Sequence, residues 1–147
     1  SNIYSNPLRI PRVVHADLTK TRYNKTFLNL QCSVYHLPFK DKSFKYCYCS
    51  HLLEHILNPV KALNEIKRVS LNAIIKVPNL RATISESQGH IYTWSQESLF
   101  NLLTLTFKNV KIETQPFKAI SNLPFFSKSL ELIFNYVFKR ELIAYVS

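Results

Sequence analysis

The sequence predicts an α/β fold: a sheet of short strands with helices packed on its faces. Three observations carry this. Short β-like runs alternate with amphipathic helical runs along the chain. Pro-containing breaks such as Leu37-Pro38-Phe39 and Pro78-Asn79 separate them. Hydrophobic residues make up 46% of 147 residues, which suits one core in a single domain spanning 1–147.

The elements follow in order. Residues 12–18 (RVVHADL) read as a short strand ending near Asp17, and Leu28–Cys32 as a second, weaker one. Phe44–Ser50 is a compact aromatic and thiol-rich run, a buried strand. Cys47 and Cys49 are two apart, so a strand puts them on one face. Asn58-Pro59 starts a helix, with Asn as N-cap and Pro at the first helical position. Val60, Leu63, Ile66 and Val69 fall on one side of it. Ala73–Val77 is the next strand. A polar stretch from Leu80 to Tyr92 follows. Thr93 with Gln96 resembles a capping box, opening a helix with Leu99, Leu102, Leu103 and Thr106 on one side. Asn109–Thr114 is a strand, and Leu130, Ile133, Phe134 and Val137 define another helix. Glu141–Val146 is the last strand. The expected sheet is mostly parallel, with the final strands pairing as an antiparallel edge.

The composition narrows the class. The chain has 1 Gly, where average usage gives roughly ten. Genome bias toward Lys, Asn, Ile and Leu accounts for this, or selection on a Gly-rich ligand loop has lapsed. Net charge is +10, compatible with nucleic acid or anionic membrane surfaces, but the charges are scattered and no nucleic-acid motif appears. Cys32, Cys47 and Cys49 form an odd set without a signal peptide, which points to reduced thiols in a cytoplasmic protein. No apolar stretch approaches the roughly 20 residues that span a bilayer.

The run LPFKDKSFKYCYCSHLLEHILNPVKALNEIKRVSLNAIIKVPN, Leu37–Asn79, resembles the class I S-adenosylmethionine methyltransferases typified by small-molecule, lipid and quinone methylating enzymes. The pieces are Leu37-Pro38-Phe39, Asp41 with Ser43-Phe44, Leu53-Glu54-His55, Glu65 with Arg68-Val69, and Pro78-Asn79. Gly89-His90, followed by Trp94 and a helix, resembles the family's region after the fifth strand. The resemblance covers residues 12–107. It implies a Rossmann-like fold and S-adenosylmethionine as cofactor, bound beyond the carboxyl ends of the strands. It gives Asp17, with Leu18 beside it, the ribose hydroxyls; the residue pattern alone equally allows Asp17 to cap a turn. It gives Ser33, Val34 and Tyr35 the adenine side, and Ser50 and His51 the methionine side.

The chain also departs from the family. The Gly-rich cofactor turn should fall near residues 3–8, which hold no glycine. Asn6 and Pro7 stand as its remnant, and Tyr4 and Ser5 as obstructions. The first, central strand is short or missing. Either the chain is a piece of a longer protein or Ser1–Tyr4 is a stunted central strand. Ser33 replaces an acid, and Lys45 reverses the charge of another.

His51 and His55 lie four apart around Glu54. The zinc-protease pattern puts Glu next to the first His, so no metal is expected. One histidine should face the pocket and the other be structural. His51 and His90 are the candidates for an acid-base role. Two functions remain open: a methyltransferase acting on an unidentified acceptor, or a methyltransferase-shaped scaffold that has lost the cofactor loop and binds a protein partner. Phe117, Phe125 and Phe126 belong to the core or to a substrate channel.

Overall fold

The structure, a computed structural model, describes residues 2–3, 14–19, 28–79, 89–116 and 139–147. Its strands are β1 (Asn2–Ile3), β2 (Val14–Asp17), β3 (Leu28–Gln31), β4 (Phe44–Ser50), β5 (Ser70–Pro78), β6 (Val110–Pro116) and β7 (Lys139–Val146). Helix α1 covers Pro59–Val69 and α2 covers Gln96–Thr104. The strands form one sheet in the order β3-β2-β1-β4-β5-β7-β6.

The sheet is mixed. Among the described strands only β2–β3 and β4–β5 are parallel pairs. The two-residue β1 is central, as a stunted strand would be, but it runs antiparallel to both β2 and β4. β7 is antiparallel to both β5 and β6. The last two strands, β6 and β7, pair antiparallel at one side of the sheet, as expected, while the sheet as a whole is mixed rather than mostly parallel. β7 is interior, and the edge is β6, which runs in the direction of β5. The physical reason lies in the residues of β7: Leu142, Ala144 and Val146 are all buried, and an edge position would leave that strand half unpaired.

Alternation along β4, β5 and β7 builds the core. Cys47 and Cys49, then Ala73, Ile75 and Val77, then Leu142, Ala144 and Val146 form one apolar face. Leu63 and Ile66 of α1 and Leu99 and Leu103 of α2 pack in the same cluster. Burial pushes the Cys47 thiol up to about 12 and Cys49 well above its ordinary value, so both stay protonated packing groups.

Helix α1 starts as its sequence dictates. The Asn58 side chain accepts from the Lys61 N–H at 2.9 Å, and Pro59 occupies the first turn, where its missing donor costs nothing. At the other end Lys42 Nζ donates to the carbonyls of Lys67 (2.7 Å) and Ser70 (2.9 Å), placing a cation at the negative helix terminus. Helix α2 starts later than Thr93. Its cap is Ser95, in a reciprocal box with Ser98. Trp94 is buried and bridges Asn79 beyond β5, which keeps the chain extended until Ser95. The helix expected over 130–137, and Phe117, Phe125 and Phe126, lie outside the described residues.

A polar clamp joins α1 to the β3–β4 connection. Glu65 Oε1 accepts from the Leu37 N–H at 2.8 Å. Arg68 donates to both Glu65 oxygens (2.6 and 2.8 Å), to Asp41 (2.7 Å), and to the carbonyls of Phe39 (2.7 Å) and Leu37 (2.9 Å). The LPF, Asp41 and E-x-x-R pieces of the sequence are thus one hydrogen-bond network.

Two outcomes test this packing. Ile66→Ala opens a cavity between helix and sheet and lowers unfolding free energy by about 2–5 kcal/mol in urea titrations. For Glu65, hydrogen bonds from Arg68 outweigh partial burial and, with the Leu37 N–H, lower its folded pKa below the ordinary 4.5. Its contribution is therefore present above the unfolded value and lost as pH falls through the lowered folded value. Glu65→Gln is less stable than the parent at about pH 7, and the gap narrows as pH falls through the lowered folded value; a gap independent of pH contradicts the clamp.

Candidate functional site

β2, β3 and β4 run in one direction, so their carboxyl ends lie together. There the connections open a cleft of about 200 Å³. Asp17 is the last residue of β2, largely buried, and lines it. Its Oδ1 accepts from the Thr19 N–H at 2.9 Å and the Thr19 hydroxyl at 3.0 Å. Among the described residues no hydrogen bond reaches Oδ2. Burial tends to raise the Asp17 pKa, but the two Thr19 hydrogen bonds, helped by His15, leave it below the usual value. The carboxylate is therefore ionised near neutral pH, and among the described residues one oxygen has no partner.

The next wall comes from the segment after β3. The Cys32 N–H donates to the Asp17 carbonyl at 2.9 Å, which binds the two strand ends together. Ser33 Oγ accepts from the Tyr35 N–H at 3.3 Å, and the Ser33 carbonyl from His36 N–H at 3.1 Å, a tight turn of the kind Ser stabilises. Tyr35 is fixed twice. Its hydroxyl accepts from the Asn58 N–H at 3.1 Å, and Lys61 Nζ lies 5.6 Å from the ring centroid. Leu37, Leu52 and Ile56 supply an apolar floor.

The structure brings Asp17, Leu18, Ser33, Val34 and Tyr35 to this one cleft. Leu18 is 68% exposed and forms its rim. Ser50 and His51 are not among the lining residues. His51 sits at the end of β4 with φ +50°, a conformation uncommon for residues other than Gly. Its N–H donates to the Lys76 carbonyl at 2.9 Å. Its ring lies between two carboxylates, Nδ1 at 3.3 Å from Glu54 and Nε2 at 3.3 Å from Glu141. Glu54, against partial burial and with help from Glu141, raises the His51 pKa. His55 lines the cleft instead. His90 packs edge-on against it, ring centroids 4.6 Å apart. Asn6 and Pro7 lie outside the described residues.

Sequence reasoning did not assign Cys32, Leu37, Leu52 or Ile56 to the cleft. Leu52 and Ile56 are four apart across the LEH segment, and that spacing was the available signal. The cleft is below the roughly 300–1,000 Å³ of typical ligand pockets, the scale of part of a nucleotide-sized ligand. A carboxylate, a tight polar turn and apolar walls are the groups a nucleoside needs.

A methyltransferase-domain family model matches residues 9–72. An uncharacterised protein of Methanocaldococcus jannaschii is 44% identical over 57 residues, 37% of this chain and 25% of that protein. The chain thus spans a quarter of the length of this curated relative. Among solved structures, one from a complex between the Haloferax volcanii Trm112 methyltransferase activator and a methyltransferase is 14% identical, with a TM-score of 0.72 over 93% of this chain and 71% of that one. A methyltransferase dependent on S-adenosylmethionine from Mesorhizobium loti is 12% identical, with a TM-score of 0.63 over 93% and 81%. One from Thermotoga maritima is 17% identical, with a TM-score of 0.61 over 82% and 64%. These likenesses show the fold, an α/β Rossmann-like methyltransferase fold with a mixed sheet, and the methyltransferase-domain model matches less than half of the chain. No helix among the described residues is long and apolar enough to cross a membrane.

Thr19→Val removes one of the two donors to Asp17 and leaves the backbone donor. The Asp17 pKa then rises toward its ordinary value, read by carbon-detected NMR of the carboxyl group. An unchanged titration contradicts the role given to the Thr19 hydroxyl.

Proposed function

We propose that the chain binds S-adenosylmethionine through the Asp17 cleft and transfers its methyl group to an acceptor. One observation supports this reading above the others. Asp17 ends a strand at the carboxyl edge of the sheet, ionised, with Oδ2 without a hydrogen bond among the described residues and a nucleoside-sized cleft before it. A carboxylate so placed accepts from paired ribose hydroxyls, and hydrogen bonds to charged groups are the strong ones. Ser33, Val34 and Tyr35 then form the adenine wall. S-adenosylmethionine supplies an electrophilic methyl group on a sulfonium sulfur. The residues of this chain orient it and exclude water, and transfer of this kind depends chiefly on alignment. Ser50 and His51 are proposed for the methionine side.

A second reading, a methyltransferase-shaped scaffold that binds a partner chain without the cofactor, has its own supporting observation. Because β1 is antiparallel to β2 and β4, with Ile3 opposite Ala16 and Cys49, β1 runs away from the carboxyl end of the sheet that holds Asp17. A Gly-rich turn in this fold follows a first strand parallel to its neighbours.

Calorimetric titration with S-adenosylhomocysteine separates the two. The first reading predicts saturable binding, weakened about 10- to 100-fold by Asp17→Asn, the loss expected for hydrogen bonds to a charged group. Absence of heat at millimolar ligand supports the scaffold.

A further inference from the structure

We propose that Glu54, His55 and His90 form a binding site for a divalent first-row transition-metal ion of the zinc and cobalt class. Their ligand atoms all lie within 4.8 Å of one another. The proposal stands apart from the cofactor reading, since it concerns a different set of side chains and a different ligand.

The buried carboxylate is the first argument. The Glu54 side chain is 0% exposed, and among the described residues Oε1 has only the His51 ring within hydrogen-bond distance while Oε2 has no partner. The Nδ1 of that ring stands 3.3 Å from Oε1, and Glu54 raises the His51 pKa. A buried charge needs pairing or a metal. His51, held in turn by Glu141 at 3.3 Å, fixes where the carboxylate points.

The second argument is the orientation of His55. Its Nδ1 lies 3.1 Å from the Gly89 carbonyl. A carbonyl only accepts, so Nδ1 carries the hydrogen. In the neutral ring the lone pair is then on Nε2, the atom 4.0 Å from Glu54 Oε1. A histidine that donates one ring N–H to a carbonyl and offers the other nitrogen is the usual arrangement of a metal ligand.

Third, the loop carrying His90 is fastened to the residue that supplies the carboxylate. The N–H groups of Ile91 and Tyr92 donate to the Glu54 carbonyl at 2.7 and 3.2 Å. His90 is therefore delivered beside His55. Donors bound tetrahedrally at about 2.0–2.2 Å stand roughly 3.3–3.6 Å apart, so small side-chain rotations close the set around an ion. Two imidazoles and one carboxylate suit borderline ions such as Zn²⁺ and Co²⁺ rather than Mg²⁺ or Ca²⁺. Three protein ligands leave a position open. His55 also lines the Asp17 cleft, so an ion held here borders that cleft. The local H-L-L-E-H spacing hid the site, because the second histidine of the set is His90 rather than His51.

The test is a Co²⁺ titration of the chelator-stripped chain, followed by visible absorption and calorimetry. One Co²⁺ per chain is expected, with the intense bands of a low-coordinate site, displaced by Zn²⁺. His55→Ala and His90→Ala each weaken binding by about 10-fold or more, with the circular dichroism spectrum retained. His36→Ala, outside the set, leaves it unchanged. Glu54→Gln also weakens binding; should it fail to fold, the two histidine variants decide. No stoichiometric binding at about millimolar Co²⁺, or equal affinity in the His55→Ala/His90→Ala double variant, overturns the site.

Discussion

The guanidinium of Arg68 ties helix α1 to the connection that feeds β4. It donates to Glu65, to Asp41 and to the carbonyls of Leu37 and Phe39. Its planar fork matches two carboxylates and two carbonyls at once, which a lysine does not do. The consequences run outward from there. Leu37 is held under the cleft with its backbone N–H satisfied by Glu65. β4 enters the sheet in parallel register with β5. The carboxyl ends of β2, β3 and β4 then converge on the space that Asp17 faces. A clamp that is partly solvent-exposed contributes modestly to stability; its larger effect is to fix the geometry of the cleft floor.

Glycine scarcity shapes the same region. Left-handed backbone is least strained in Gly, yet two such positions are taken by Lys42 (φ +53°) and His51 (φ +50°). Both are tethered by their side chains. Lys42 caps the end of α1 through two carbonyls. His51 is held between Glu54 and Glu141. Side-chain contacts thus supply locally what a glycine supplies through freedom, and each turn becomes specific to its residue. The chain's single glycine, Gly89 (φ +93°), sits in the loop that brings His90 to His55.

Much of this was legible along the sequence, where local signals suffice. Phe44–Ser50 is a strand with the two buried thiols on one face, because alternation is a two-residue pattern. Asn58-Pro59 opens α1, because cap and first-turn preferences are local. Asp17 and Ser33–Tyr35 meet in a cleft, because the family resemblance carries their order. Non-local features were harder. Two residues cannot encode the direction of β1. The interior place of β7 depends on pairing with two strands far apart in sequence. Trp94 moves the start of α2 to Ser95 through its bridge to Asn79. The approach of His90 to Glu54 and His55 rests on backbone hydrogen bonds that no spacing rule shows.

The likeness to solved methyltransferases gives the fold, and the cleft at Asp17 is where the functional claim rests. Amide chemical shifts of the labelled chain during titration with S-adenosylhomocysteine test that claim most directly. The account predicts saturable changes concentrated at Ala16–Leu18, Ser33–Tyr35, Leu52 and Ile56, with the opposite end of the sheet, at Tyr46 and Asn72, unmoved. Absence of changes, or changes centred on Tyr46 and Asn72, contradicts it.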